Sequence, residues 1–288
     1  MQVVDTVAAL EALGDTPGCA FARDLQDPVV EAAVRTWGIP GPRTDEIARR
    51  PFANLTDGLL ELVLLLPDHG AQHLGVRIHA AAAAGVLVMG APEAREAVRA
   101  EAGAADGVRE AVVGMLLAVA QRGEEVLDGF EDESERFEDR ADGYAASAQR
   151  RLLGRRRAEL FRIQKAQAAM HRLCLPEEQL SQELPKELRH RLRRAAVELE
   201  ANGSAAARLH TVLGDLLAEQ GAVVNERLTL VATLFLPLTL ATGFFGMNFG
   251  WLQERTGSIE AFVLLGLVLP AIATVLTIVI VRRLTRSS

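Results

Sequence analysis

Apolar and polar residues follow three rhythms along this chain. Between Leu59 and Gly90 the sequence reads LLELVLLLP, then Asp68, His69 and Gly70, then LGVRIHAAAAAGVLVMG. The valines and the partial alternation predict strands joined by a turn. Pro28 to Arg50, with Pro40 and Pro42, predicts short helical pieces. Residues 1–110 are therefore expected to form a small α/β domain. From Pro92 to Pro176 the spacing is helical, with Gly103, Gly107, Gly123 and Gly143 as candidate breaks, and residues 111–185 are expected to hold a helical pair. After Pro185 no proline intervenes until Pro237. Here apolar positions recur at heptad spacing through Leu188, Leu192, Ala195, Leu199, Asn202, Ala206, Leu209, Leu213, Leu216, Gln220 and Val223. Asn202-Gly203 is the one place that could interrupt this seam. Unbroken, a helix from Lys186 to Gly246 would be about 90 Å long at 1.5 Å per residue. So long a helix has little use in a monomer and points to identical subunits bundled about an axis.

The third rhythm is the absence of charge. Leu228 to Gln253 is 26 residues long and Ala261 to Val281 is 21, and neither run contains a charged side chain. Both exceed the roughly 20 residues that cross a bilayer core as a helix. The residues from Glu254 to Glu260, with Gly257 and Ser258, supply a turn. Segments 186–250, 251–260 and 261–288 are thus expected to be a stalk with a first span, an outer loop, and a second span with a basic tail. Arg282, Arg283 and Arg286 follow the second span, whereas the turn carries only Arg255, so the positive-inside rule puts both termini in the cytoplasm. Met1 to Leu10 has no basic residue and no long apolar run, unlike a secretory signal. Pro237 falls inside the first span and should free a carbonyl, with the Thr233 hydroxyl one turn earlier as a candidate to take it up.

Composition narrows the function. The net charge of −7 argues against nucleic acid as the main partner and suits a protein that faces cations. Cys19 and Cys174 are the only cysteines, and no CxxC pair exists. There is no GxxxxGK[ST] loop for nucleotide hydrolysis and no spaced nucleophile–base pair, so an enzyme is not expected. His69 and His73 have HxxxH spacing, which on a helix could hold zinc, but a hairpin turn suits them better as incidental surface residues. Glu124 to Asp142 holds ten acids against two arginines, and Arg150 to Arg157 holds five arginines. Two solvated faces of an antiparallel helix pair account for this charge. The sharper alternative is an acidic surface that gathers cations near a pore mouth.

The first uncharged run, LTLVATLFLPLTLATGFFGMNFGW, carries Leu228-Thr229, then Pro237-Leu238-Thr239, then Gly246-Met247-Asn248 at its outer end. This stretch resembles the first transmembrane helix of the CorA-type magnesium channel family, whose hallmark is a GMN tripeptide after such a span. The close match covers about the last quarter of the chain, and a looser agreement in element order extends over the rest. The resemblance implies a mostly helical α+β fold and a homopentamer in the inner (plasma) membrane. It implies an axial pore lined by the first span of each subunit, with Asn248 forming an outer ring beside Gly246 and Met247. It further implies transported Mg2+, with Co2+, Ni2+ or Zn2+ as alternatives, contact with membrane lipid, and no bound cofactor. Two features depart from the family pattern. The asparagine that commonly stands six residues before the LT pair is Ala222 here, with Asn225 three before. The loop after GMN reads Gly250-Trp251-Leu252-Gln253-Glu254 rather than beginning MPE.

Counting back from Asn248 at helical spacing gives a pore stripe of Gly246 or Phe245, then Gly243, Thr239, Leu236, Ala232, Leu228 and Asn225. It offers polar rings at Asn225, Thr239 and Asn248 and apolar constrictions at Leu228 and Leu236, which could gate by dewetting. Ordinary helix packing would produce the same stripe. Two alternatives stand beside the divalent-cation channel. One is proton-coupled zinc transport on the same scaffold. The resemblance implies that the zinc-importer branch tends to replace the middle methionine, kept here as Met247. The lack of acid or histidine in either span argues against an intramembrane proton relay but not against coupling elsewhere. The other is a non-transporting membrane scaffold or sensor.

Overall fold

The computed structural model describes residues 1–14, 16–39, 41, 50–68, 73–82, 84–139, 147–247 and 258–286. The chain divides into two compact units, residues 1–217 and 218–288.

The first unit opens with a six-stranded sheet ordered β1-β2-β6-β5-β4-β3. Its strands are β1 (Gln2–Val4), β2 (Gly18–Ala22), β3 (Phe52–Thr56), β4 (Leu59–Leu66), β5 (Leu74–Ala81) and β6 (Gly85–Gly90). The first three in spatial order are parallel, and the β6-β5-β4-β3 side is an antiparallel meander. The strands expected between Leu59 and Gly90 are there, and the alanine run closes β5 and its turn into β6. The hairpin partner β3 went unread, although Asp57-Gly58 signals it: both residues have positive φ, 51° and 79°, and join the strands in a two-residue turn.

Side chains alternate across the sheet because successive residues point to opposite faces. Ala20, Ala22, Leu87 and Met89 pack with α1 (Val7–Leu13) and α2 (Pro28–Trp37). Asp27 caps α2, Pro28 occupies its first turn, and Gly38 ends it in the left-handed conformation. Gly85 lets the Trp37 ring lie against the sheet, since a Cβ there would stand 2.4 Å from the ring. On the other face Cys19, Phe21, Leu62, Leu64, Ile78 and Val88 pack against α3 (Pro92–Ala104) and α4 (Val108–Asp139). Residues of α5 (Ser147–Leu173), the short α6 (Gln179–Gln182) and the first turns of α7 (Lys186–Gly246) complete that core.

Beyond the sheet, α4, α5 and α7 form a three-helix bundle around Phe130, Phe137, Leu153, Leu160, Ile163, Ala206 and Leu213. Arg156 on α5 pairs with Glu133 on α4 at 2.9 Å, and Gln167 lies beside Gly123, so α4 and α5 run antiparallel. Gly107 does separate α3 from α4. Gly123 is not a break: it sits inside α4, where its missing side chain leaves room for Gln167 and Asn202. Asn202-Gly203 does not interrupt α7, which is continuous for 61 residues. Every residue of the predicted heptad seam from Leu188 to Val223 is buried or half-buried. Gly143 lies outside the described residues.

Candidate functional site

The second unit contains the outer half of α7, then α8 (Ile259–Val263), a π-helical turn (Leu264–Val268) and α9 (Leu269–Arg286). The π turn precedes Pro270. A proline lacks the N–H that would bond four residues back, and its ring crowds that carbonyl. The wider turn, in which the Leu269 N–H donates to the Leu264 carbonyl, relieves this.

Along the outer half of α7 the apolar side chains are exposed rather than packed. Leu228, Leu230, Val231, Phe235, Leu236 and Leu240 all face outward. Among the described residues α7 is the one helix long and apolar enough to cross a membrane, and none of its most apolar stretch is buried within the chain. On α9 and the π turn a shorter apolar stretch, Gly266–Leu276, presents Ile272, Val275 and Leu276 in the same way. A helix apolar on all sides is stable only where its surroundings are apolar too.

Asn225, Leu228, Ala232, Leu236, Thr239 and Gly243 lie on one stripe of α7, and each is exposed. Gly246 closes the helix, and Met247 follows it, exposed. Asn248 lies outside the described residues, as do Gly250 to Gly257 of the loop. Threonine hydroxyls along the stripe are turned inward onto the helix. Thr229 donates to the Asn225 carbonyl at 2.8 Å and Thr239 to the Phe235 carbonyl at 2.8 Å. Thr233 donates to the Thr229 carbonyl at 2.7 Å, so its hydroxyl is engaged one turn before Pro237 and does not take up the carbonyl that the proline frees. These bonds satisfy hydroxyls that could not otherwise enter a low-dielectric medium without cost.

Polar groups of the first unit occupy different surroundings. His79, buried on β5, has neither ring nitrogen hydrogen-bonded, and burial together with the Arg77 charge pushes its pKa down to about 4. It is therefore neutral at pH 7. His73 is half-buried rather than a surface residue, and burial lowers its pKa as well; His69 lies outside the described residues. Cys174 is buried, and desolvation raises its pKa to about 12. Among the described residues no three His, Cys, Asp or Glu side chains cluster as a metal site. In the bundle, Asn202 donates to the Ala120 carbonyl at 2.7 Å beside the fully buried Gln167. Asn202 was legible as a polar break in an apolar seam. Gln167 was not, because its neighbours come from two other helices.

A sequence model of the CorA-like Mg2+ transporter protein matches residues 88–283, more than half of the chain. The chain belongs to this family. Its members are divalent-cation transporters rather than enzymes, and they are embedded in membranes, with which the exposed apolar half of α7 agrees. The fold agrees. The complete CorA magnesium transporter from Methanocaldococcus jannaschii superposes with a TM-score of 0.61 at 18% identity, covering 92% of this chain and 89% of that one. The ZntB cytoplasmic domain from Vibrio parahaemolyticus superposes with a TM-score of 0.55 at 15% identity, covering 72% of this chain and 88% of the other. No curated protein sequence matches this one. The family match begins at β6 and so takes in the helical bundle as well as the apolar end.

Proposed function

We propose that this CorA-family chain is a homopentameric channel for divalent cations, Mg2+ foremost, with the exposed stripe of α7 lining an axial pore. In this reading the α7 and α8–α9 segments are two spans of the inner (plasma) membrane, joined by the loop after Asn248, with both termini in the cytoplasm. The observation that carries it is the uncharged, exposed outer half of α7 leading into Gly246-Met247-Asn248. Mg2+ gives up its water reluctantly. A ring of Asn248 amide oxygens would hydrogen-bond to the waters of the hydrated ion, holding it more weakly than a carboxylate ring and letting it leave. Thr239 and Asn225 would add polar levels, and Leu228 and Leu236 apolar constrictions. The membrane potential supplies the drive: about 2.3 kcal/mol per charge at 100 mV, hence about 4.6 kcal/mol for a divalent ion.

Proton-coupled Zn2+ transport is the second reading, and the fold likeness to the ZntB domain supports it. The test is flux into liposomes loaded with an ion indicator, with an inside-negative potential or a pH gradient imposed. Potential-driven Mg2+ entry indifferent to pH supports the channel, and Zn2+ entry that follows the pH gradient supports the second reading. No flux of either ion from an assembled oligomer leaves a scaffold or sensor. In the same assay Asn248→Ala should abolish Mg2+ selectivity while the oligomer persists; unchanged selectivity would remove Asn248 from the filter.

A further inference from the structure

The helical bundle carries two charged faces, most of whose side chains make no ion pair among the described residues. On α4, Glu124, Asp128, Glu131 and Glu135 are all exposed, and at 100° per residue they fall within about 60° of one another around the helix. On α5, Arg151, Arg155 and Lys165 are exposed within about 80°. The ion pair between these two helices, Arg156 with Glu133, involves neither stripe. Glu124, Asp128, Glu131, Glu135, Arg151 and Arg155 make no ion pair among the described residues. An exposed aromatic stands at the edge of the basic face: Phe161 is 44% exposed with Lys165 stacked over its ring at 4.5 Å. An exposed aromatic among arginines is a composition characteristic of protein interfaces.

We propose that the basic face of α5 is an assembly surface, and that its occupant is the acidic face of α4 on a second copy of this chain. Charge complementarity selects this occupant. The stripes have opposite sign and similar length, about 17 Å for α4 and about 21 Å for α5 at 1.5 Å per residue. Because the two faces differ, the contact is heterologous, and such contacts repeated about an axis close a ring rather than a two-fold dimer. The proposal rests on the reading that copies of this chain assemble around a pore. It adds how neighbouring cytoplasmic parts would be held in order around that ring.

Charge reversal tests it on the full chain in detergent, followed by native mass spectrometry. Reversing α5 (Arg151→Glu, Arg155→Glu, Lys165→Glu) should raise the concentration at half-dissociation by about tenfold or more in 0.1 M salt. Reversing α4 (Glu124→Lys, Asp128→Lys, Glu131→Lys) should do the same, and combining the two sets should restore assembly. In 1 M salt, where screening shortens from about 10 Å to about 3 Å, the differences should shrink. A second measurement does not depend on those variants folding. Chains carrying Glu131→Cys and chains carrying Arg155→Cys, mixed, should form an intermolecular disulfide that neither forms alone; the natural Cys19 and Cys174 are buried and do not compete. Oligomers indifferent to both reversals, a combined variant no better than either, or like-with-like crosslinks only would overturn this interface and leave the pore reading standing. A chain monomeric under every condition would overturn both.

Discussion

The inner and outer halves of α7 are one continuous helix with one apolar period, yet they do opposite things with it. From Leu188 to Leu216 the seam turns inward against α4 and α5, while Val197, on the other side, is 61% exposed. From Leu228 onward apolar residues occupy every side, and Leu240 is 73% exposed. Periodicity alone does not distinguish a packed stalk from a membrane span. What distinguishes them is the opposite face, charged in the first half and apolar in the second, because that face must match its solvent.

Deleting packing should hurt only the inner half. Leu199→Ala, in the fully buried seam, should cost about 2–5 kcal/mol in denaturant unfolding of the full chain, whereas Leu240→Ala should leave that transition in place. An equal loss from both would mean that Leu240 packs against protein. Adding charge should hurt only the outer half. Leu240→Arg should cost about 2.5–3.5 kcal/mol of membrane insertion, seen as a drop in the carbonate-resistant fraction. Val197→Arg, at a comparably exposed site, should change stability by no more than about 0.5 kcal/mol. Gly123→Ala sharpens the account of the inner half. Its new methyl would stand 2.6 Å from the Gln167 amide nitrogen and 2.8 Å from that of Asn202, and overpacking should cost about 1–3 kcal/mol in Tm-derived stability. A small gain is expected at the joint. Gly221 has nothing within 4 Å of an added Cβ, so Gly221→Ala should stabilise the helix by about 0.5–1 kcal/mol. A destabilising result would show this side of α7 lying close against a neighbouring subunit.

The seam of α7 and the strands after Leu59 were readable because each depends on a repeating local pattern. The short strands β1 and β2 were harder to read. Their burial comes from helices on both faces, so Gly18 to Ala22 shows no alternation that would separate it from a loop. Gly123 was misread for a related reason. A glycine in a helix looks like a break until the neighbour that needs its space is known, and that neighbour, Gln167, is 44 residues away on another helix. At the candidate pore, the stripe from Asn225 to Gly246 was legible as spacing and the GMN tripeptide as a motif. The engagement of Thr233 with Thr229 was not legible, because a threonine hydroxyl has more than one carbonyl within reach.

Sequence by itself therefore determined the heptad seam, the uncharged end and the motif that points to the family, because all of these are set by residues close in the chain; that Asn202-Gly203 leaves the helix unbroken was decided by the structure. Only the tertiary structure decided which polar groups lie buried at Gln167, Asn202 and His79 and which charged faces of α4 and α5 remain turned outward. Those properties depend on which distant segments come to lie beside one another, and no local pattern encodes that.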